Sequence, residues 1–314
     1  MAQGLSGMID ALRAVAEPTR LRLLAICSEG ELTVSEITHI VGQSQPRVSR
    51  HLKLLCNTGL LIRFREGHFV LYRVPAKGRG ADLVQQLLRQ LPRDDEQLEL
   101  DNSRMESVKA ERARRAADYL RFNSEDWARL REANVSDREI NQVIVDIMNT
   151  DRIGDLLDIG TGTGRMLKLL GKFASSAVGV DIAPEMLAVA RSNLHAAGLG
   201  KVMVRRGDMY GLPYPDSAFD TVTLDHLLHL AEDAPRVIRE VARVLRPNGQ
   251  ILVVDFSLRT NGDPDSPGIS DESLETWFEA GGLRCAELRH LKGQSLNVVL
   301  SVAVPRRRQD AAVA

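Results

Sequence analysis

The sequence predicts an α/β protein built on a doubly wound parallel sheet, preceded by a small, separate and basic helical domain. Three observations predict it. From Ile153 onward, apolar runs, Gly-rich turns and helical stretches alternate. The first run leads into Leu-Leu-Asp-Ile-Gly-Thr-Gly-Thr-Gly over 156–164, and the next, Ala-Val-Gly-Val-Asp, closes on Asp181. Ahead of both, residues 44–80 hold eight Lys or Arg against Glu66 alone.

The 314 residues leave room for two domains with sizeable cores, and a composition 44% hydrophobic and 26% charged is ordinary for a globular protein. A net charge of −1 conceals an asymmetry: residues 1–80 carry eleven Lys or Arg against six acids, residues 81–314 thirty against thirty-six. A basic patch confined to one small domain points to a polyanion there. Cys27, Cys56 and Cys285 lie far apart, so neither a disulfide framework nor a metal site is expected. No cationic start runs into an apolar core at the N-terminus, and no apolar run nears the ~20 residues of a membrane span. A soluble, cytoplasmic protein with no membrane partner is the expectation.

Helices are predicted over 5–16 and 18–28, the second opened by Pro18, whose missing N–H costs nothing there. A second pair covers 34–41 and 45–56, with Ser44 as N-cap, Pro46 in the first turn and a left-handed stop at Asn57-Thr58-Gly59. Residues 60–65 and 69–74 flank Glu66-Gly67-His68 as a hairpin, and a helix over 81–91 ends at Pro92. Residues 93–107 are polar and aperiodic and read as a linker; 108–148 are helix-rich. Strands are expected at 155–159, 177–181, 201–205, 219–224, 250–255 and 295–303, a loop at 260–268 and a disordered tail from Pro305. The domain division is then 1–92, a 93–149 linker and helical connector, 150–304, and a 305–314 tail.

On the 45–56 helix, Val48, His51, Leu52 and Leu55 fall on one stripe and Arg47, Arg50 and Lys53 on another. A packed back and a cationic front suit the major groove of double-stranded DNA. Gln45, Arg47, Ser49 and Arg50 are the candidates for base edges, Ser44 and Lys53 are further DNA-binding candidates, and Arg63, Arg65 and Arg73 of the hairpin are placed for phosphates. The bland alternative is a surface helix merely solvated by arginines. His51, at the stripe's edge, reads as packed. Ala16-Glu17-Pro18-Thr19-Arg20-Leu21-Arg22-Leu23-Leu24 and Ser44-Gln45-Pro46-Arg47-Val48-Ser49-Arg50-His51-Leu52-Lys53-Leu54-Leu55 resemble the ArsR-type winged helix-turn-helix repressors over roughly 5–92. That resemblance implies a homodimer paired through residues 5–16 and 81–91, acting on an operator. Many such proteins sense metals through paired cysteines before the recognition helix or acidic and His ligands in the last helix. Here Thr33-Val34-Ser35-Glu36 stands at the first place, and no His lies between 81 and 92.

Gly160, Gly162 and Gly164 follow Asp158 at the end of the first strand, where missing Cβ atoms let the backbone approach a ligand. Arg165 stands where a dinucleotide fingerprint would place glycine, so no pyrophosphate cradle is implied. Asp181 can accept from both ribose hydroxyls; Asp208 can accept from an adenine amine while Met209 packs on the ring. Together with Gly179-Val180-Asp181-Ile182-Ala183-Pro184-Glu185-Met186-Leu187, Gly207-Asp208-Met209, Phe219-Asp220-Thr221-Val222 and Arg243-Val244-Leu245-Arg246-Pro247-Asn248-Gly249-Gln250, these residues resemble class I S-adenosylmethionine-dependent methyltransferases, notably the ubiquinone and menaquinone biosynthesis group, over roughly 150–304. The resemblance implies a Rossmann-like seven-stranded sheet and a pocket for S-adenosylmethionine or S-adenosylhomocysteine. Gly160 and Gly162 would line the amino-acid end, Asp181 would hold the ribose, Ile182 and Met209 the adenine faces and Asp208 its edge, Leu224 and Asp225 would face the sulfonium, and Asp158, Thr161 and Gly164 would complete the cofactor-binding set.

No Asn-Pro-Pro-Tyr or Pro-Cys pair follows the fourth strand, so DNA-base methylation is not expected; arsenic methylation lacks its clustered thiols. Methyl transfer from a sulfonium needs alignment more than acid–base help. Asp225, His226 and His229 therefore stand as the candidate catalytic residues without assigned roles: His226 either lines the pocket or deprotonates an acceptor. Two relations between the domains stay open. The chain is a DNA-binding regulator that also methylates a small molecule, or its second domain is a non-catalytic sensor of S-adenosylmethionine or S-adenosylhomocysteine.

Overall fold

The computed structural model describes residues 4–66, 69–92, 94–123, 136–148, 150–200, 202–257, 268–293 and 297–306. The chain divides into two compact units, Met1–Arg115 and Ala116–Ala314. Of the loop expected at 260–268 only Gly268 is among the described residues, and the tail beyond Arg306 lies outside them.

The first unit runs α1 (Leu5–Val15), α2 (Pro18–Ser28), β1 (Leu32–Thr33), α3 (Val34–Val41), α4 (Gln45–Asn57), β2 (Ile62–Glu66), β3 (Phe69–Arg73), α5 (Arg79–Leu88) and the start of α6 (Glu96–Asn123). A reciprocal cap opens α3: the Glu36 N–H donates to Thr33 Oγ1 at 3.3 Å, and the Thr33 N–H donates to Glu36 Oε2 at 2.8 Å. α4 begins after Ser44 and stops at Gly59, whose φ of 71° only glycine adopts without strain. Behind these helices Leu23, Leu24, Ile37, Ile40, Val48, Leu52 and Leu55 are buried together with Leu60 and Leu61. The last two belong to the turn into the hairpin rather than to a strand, so β2 starts at Ile62. β1, unanticipated, pairs antiparallel with β3 and makes the hairpin a three-stranded sheet.

Residues 93–107 are not a linker throughout. α6 starts at Glu96, where Asp95 Oδ1 accepts from the N–H groups of Gln97 and Leu98, both at 3.0 Å. The helix lacks a long apolar stripe because ion pairs dock it. Arg22 donates to Asp101 at 2.6 and 2.7 Å, Arg112 to Glu36 at 2.8 Å twice, and Arg104 to the Ile40 carbonyl at 3.1 Å. Among the described residues of α6, Met105 and Val108 add the apolar anchors to that core.

In the second unit α7 (Asp137–Ile147) precedes β4 (Asp155–Ile159), α8 (Arg165–Leu170), β5 (Ser176–Asp181), α9 (Pro184–Ala196), β6 (Met203–Arg206), β7 (Phe219–Asp225), α10 (Ala234–Val244), β8 (Leu245–Ser257), α11 (Asp271–Ala280), β9 (Leu283–Leu291) and β10 (Asn297–Pro305). The seven strands lie in the order β6-β5-β4-β7-β8-β10-β9, parallel from β6 to β8, with β10 antiparallel to both neighbours. β9 escaped the strand-by-strand reading because, at the sheet edge, Arg284, Glu287, Arg289 and His290 interrupt its apolar residues. Apolar layers cover both sheet faces: Val237, Ile238 and Val241 of α10 help form one, Leu167, Leu187 and Ile144 the other. Strand order reverses between β4 and β7, and there the carboxyl ends of the strands open the crevice in which such sheets bind ligands. Gly160, Asp181 and Asp225 sit at those ends.

Candidate active site and nucleic-acid interface

On α4, Gln45, Arg47, Ser49, Arg50 and Lys53 are exposed, while Val48, Leu52 and Leu55 are fully buried. Ser44 occupies the N-cap position, exposed, but its hydroxyl makes no capping bond. His51 is packed, with Nδ1 3.7 Å from the Glu17 carboxylate. Burial lowers its pKa; Glu17 opposes this, and Arg20, Arg47 and Arg50 reinforce it. Arg63 and Arg65 are exposed on β2. Arg73 departs from the expected phosphate role: its side chain is 15% exposed and pairs with Glu31 at 3.4 Å, so it braces the sheet.

In the second unit Gly160, Gly162 and Gly164 all adopt left-handed backbone, with φ of 66°, 52° and 85°. A Cβ on Gly160 would also lie 2.7 Å from Leu227 Cδ1. The loop they form is held from below. Asp158, 1% exposed, accepts from Thr161 Oγ1 at 2.6 Å and Thr223 Oγ1 at 2.7 Å. Burial, which these two bonds oppose, pushes its carboxyl up to about 7. Asp158 and Thr161 thus shape the loop instead of presenting side chains to a ligand.

Asp181 closes β5 beside that loop. Its Oδ2 accepts from the Gly162 N–H at 2.8 Å and its Oδ1 from the Ala183 N–H at 2.9 Å. Burial raises its pKa against these bonds. Next to it Ile182 is left 57% exposed. Beyond β6, Asp208 is exposed and accepts from the Tyr210 N–H at 2.9 Å, while Met209 packs on the core. The Leu224 side chain lies in the core, 1% exposed, so only its backbone reaches the crevice.

Asp225 differs most from expectation. Arg165 grips it through Nε at 2.8 Å and a second guanidinium nitrogen at 2.6 Å, and His226 Nδ1 lies 2.7 Å from Oδ1. Burial raises the Asp225 pKa, but His226 and Arg165 outweigh it and hold the carboxyl well below the usual range. A committed anion of this kind is no proton acceptor. Arg165 in turn donates to Asn141 Oδ1 of α7 at 2.8 Å. His229, 3% exposed, is tied to buried Asp255 at 2.5 Å, and Asp255 also accepts from the Leu228 N–H at 2.9 Å. His229 therefore fixes the turn after β7. Among the described residues no group of three or more His, Cys, Asp or Glu is arranged to hold a metal ion.

Residues outside the expected set also reach the site. Ala116 of α6 packs with Ala183 and Met186, and Tyr119 joins them. Burial raises the Tyr119 pKa, with Asp181 and Glu185 adding to it. Nothing local in Ala116-Ala117-Asp118-Tyr119 points to this in the sequence.

Residues 157–253 match the family model described as a methyltransferase domain, and residues 17–63 that of the bacterial regulatory proteins of the arsR family. The chain carries an arsR-family helix-turn-helix and a methyltransferase domain. Over 133 residues it is 37% identical to an uncharacterized methyltransferase, YcgJ of Bacillus subtilis, covering 39% of this chain and 53% of that protein. Over 103 residues it is 41% identical to a demethylmenaquinone methyltransferase of Thermus thermophilus, covering 32% of this chain and 46% of the relative. The chain thus spans about half the length of these curated relatives. A crystal structure of YcgJ superposes on 54% of the chain and 99% of that protein with a TM-score of 0.48 at 20% identity. Asp158, the glycine loop, Asp181, Asp208, Met209 and Asp225 all fall inside the matched methyltransferase domain; Arg47 and Arg50 fall inside the helix-turn-helix match.

Proposed function

We propose that the chain is a DNA-binding transcriptional regulator whose methyltransferase domain takes S-adenosylmethionine and methylates a small molecule. The observation that carries this reading is the crevice at the β4–β7 switch: three left-handed glycines, a carboxylate at the next strand tip, and an apolar side chain left exposed beside it. These residues fit an adenosyl group. Gly160 and Gly162 offer backbone without a Cβ, Asp181 keeps lone pairs beyond its amide bonds for ribose hydroxyls, Ile182 and Met209 suit the adenine faces, and Asp208 its amine. The donor would supply a methyl group on a sulfonium that needs no acid to leave, so alignment is the protein's main task.

In the first unit, the exposed row Gln45, Arg47, Ser49, Arg50 and Lys53 supports major-groove contact, with Arg63 and Arg65 on phosphates. A homodimer is supported by α1, where Leu5, Met8, Ile9 and Leu12 form an exposed apolar stripe suited to a second copy of the chain. No helix among the described residues is long and apolar enough to cross a membrane.

A second reading has a specific observation in its favour. Ala116 and Tyr119 of α6 pack with Ala183 and Met186 next to Asp181. Ligand occupancy at Asp181 would then bias the helix that supports the DNA-reading pair, making the domain a sensor of S-adenosylmethionine or S-adenosylhomocysteine. Affinity of the full chain for a fragment of its own promoter, measured without ligand and with each nucleoside, separates the readings. A sensor predicts a change of about 5- to 150-fold. Unchanged affinity together with S-adenosylhomocysteine formation in the presence of an acceptor supports the enzyme alone. Failure to bind DNA under all three conditions refutes the regulatory half.

A further inference from the structure

His226 is the side chain that the methyltransferase reading leaves unused and the structure marks most strongly. It follows β7 with φ of 51°, a left-handed conformation uncommon for a residue with a Cβ. Its N–H donates to the Val254 carbonyl at 2.7 Å, which pins the backbone. Its ring stands edge-on to Phe256, with centroids 4.8 Å apart, and the side chain is 12% exposed. Nδ1 lies 2.7 Å from Asp225 Oδ1, and Arg165 donates to that oxygen at 2.6 Å and to Oδ2 at 2.8 Å. Nε2 is buried and has no partner among the described residues.

An imidazole held on one nitrogen by a carboxylate and unpartnered on the other is the arrangement by which proteins set a tautomer: the proton stays on Nδ1 and the lone pair on Nε2. The anionic, half-buried carboxylate also favours the charged ring that would form. We propose that His226 is the catalytic base of the methyl transfer, its Nε2 taking the proton of a thiol or phenol-type hydroxyl on the acceptor. The acceptor's proton passes to Nε2, its freed lone pair forms the new bond to the methyl carbon, and the donor's carbon–sulfur bond breaks with the pair kept by sulfur. The imidazolium then returns its proton to solvent. Arg165 and Asp225 act through His226 and are positioning residues. The acceptor class follows from matching acidities: thiols near pKa ~8.5 and phenols near ~10 lie within reach of an imidazole.

The charged groups around the ring support the sign of the pH dependence. Burial lowers the His226 pKa, but Asp225 of β7 and Asp255 of β8 outweigh burial and Arg165 of α8, and the net direction is upward from 6.5. A base must be neutral before it accepts, so turnover rises with pH through a pKa above 6.5 and then levels.

This assignment rests on the methyltransferase reading, and its test keeps the two apart. The full chain is supplied with S-adenosylmethionine and, in separate arms, with catechol, 2-naphthol or 2-mercaptoethanol, and S-adenosylhomocysteine release is followed from pH 5.5 to 9, a span bracketing the reference values. The proposal expects release with at least one probe and a rising acid limb. In His226→Gln it expects turnover lower by about 100-fold or more, loss of that limb, and unchanged calorimetric affinity for S-adenosylhomocysteine. Release with no probe, or a variant within about threefold of the native chain, a margin far below that expected of a base, overturns it. A second readout needs no variant: nitrogen NMR of the histidine-labelled native chain should show His226 with its neutral-form proton on Nδ1 and a pKa above 6.5. A neutral ring protonated on Nε2 overturns the base. Absence of S-adenosylhomocysteine binding by the native chain would instead sink the underlying reading.

Discussion

α4 and the first-unit part of α6 are both polar and rich in arginine, yet they dock by opposite means. α4 keeps Arg47, Arg50 and Lys53 in solvent and docks through Val48, Leu52 and Leu55. α6 turns Arg104 and Arg112 into the fold and docks through ion pairs, with Asp101 buried against Arg22. Charge is available to a polyanion only where apolar residues already hold the helix. Where charges do the holding, they are consumed.

The largest effect should come from replacing Arg47 and Arg50 together by Ala. Affinity for promoter DNA should fall by about 100-fold at moderate salt, with discrimination between promoter and unrelated DNA relaxed. Gel-shift titrations against both DNAs read the two effects; unchanged affinity and discrimination would assign base contact to another helix. Next comes Arg22→Met, which leaves Asp101 buried without its cation and should cost about 3 kcal/mol in chemical denaturation. Arg112→Met should behave similarly and also loosen the Thr33–Glu36 cap. A loss under ~0.5 kcal/mol in either, the range of an ordinary surface change, would deny that ion pairs dock α6.

The carboxylates of the second unit sharpen the same contrast. Asp225 sits between Arg165 and His226 and is held anionic, whereas Asp158 meets only hydroxyls and is pushed up to about 7. Because its folded value lies above the unfolded one, the folded state keeps that proton longer, and stability should decline as pH rises from about 4 to about 7. Asp158→Asn should flatten that decline in denaturation midpoints; an undiminished slope would show that another group causes it. The smallest effect is expected at Arg114→Ala and Arg115→Ala. Both side chains pair with Glu111 in solvent, and each change should stay within about 0.5 kcal/mol.

What could be read from the sequence follows the same division. α4 was legible because its stripe is apolar and its spacing regular, and β4 with its glycine loop because a parallel central strand is a continuous apolar run. α6 was read in part as a linker, since Arg22–Asp101 and Arg112–Glu36 join residues 79 and 76 positions apart and leave no local period. The Arg165–Asp225–His226 chain was hidden for the same reason: Asp225 and His226 were candidates, but nothing in their neighbourhood named a partner 60 residues away. Arg73 reads from its hairpin position as a phosphate contact because its ladder pairing does not reveal Glu31. Leu224 was placed at the ligand from its strand end, although its side chain turns into the core. Strand tips are visible in sequence; which of them is already spoken for is not.

Calorimetric titration of S-adenosylhomocysteine into the full chain and into Asp181→Ala tests the central claim most directly. The native chain should bind with saturable heat, and the variant should bind at least about 100-fold more weakly, the loss expected when hydroxyls lose a charged partner. Equal affinity in the two proteins, or no heat with the native chain, would contradict the crevice at the tips of β4 and β5 as the adenosyl site.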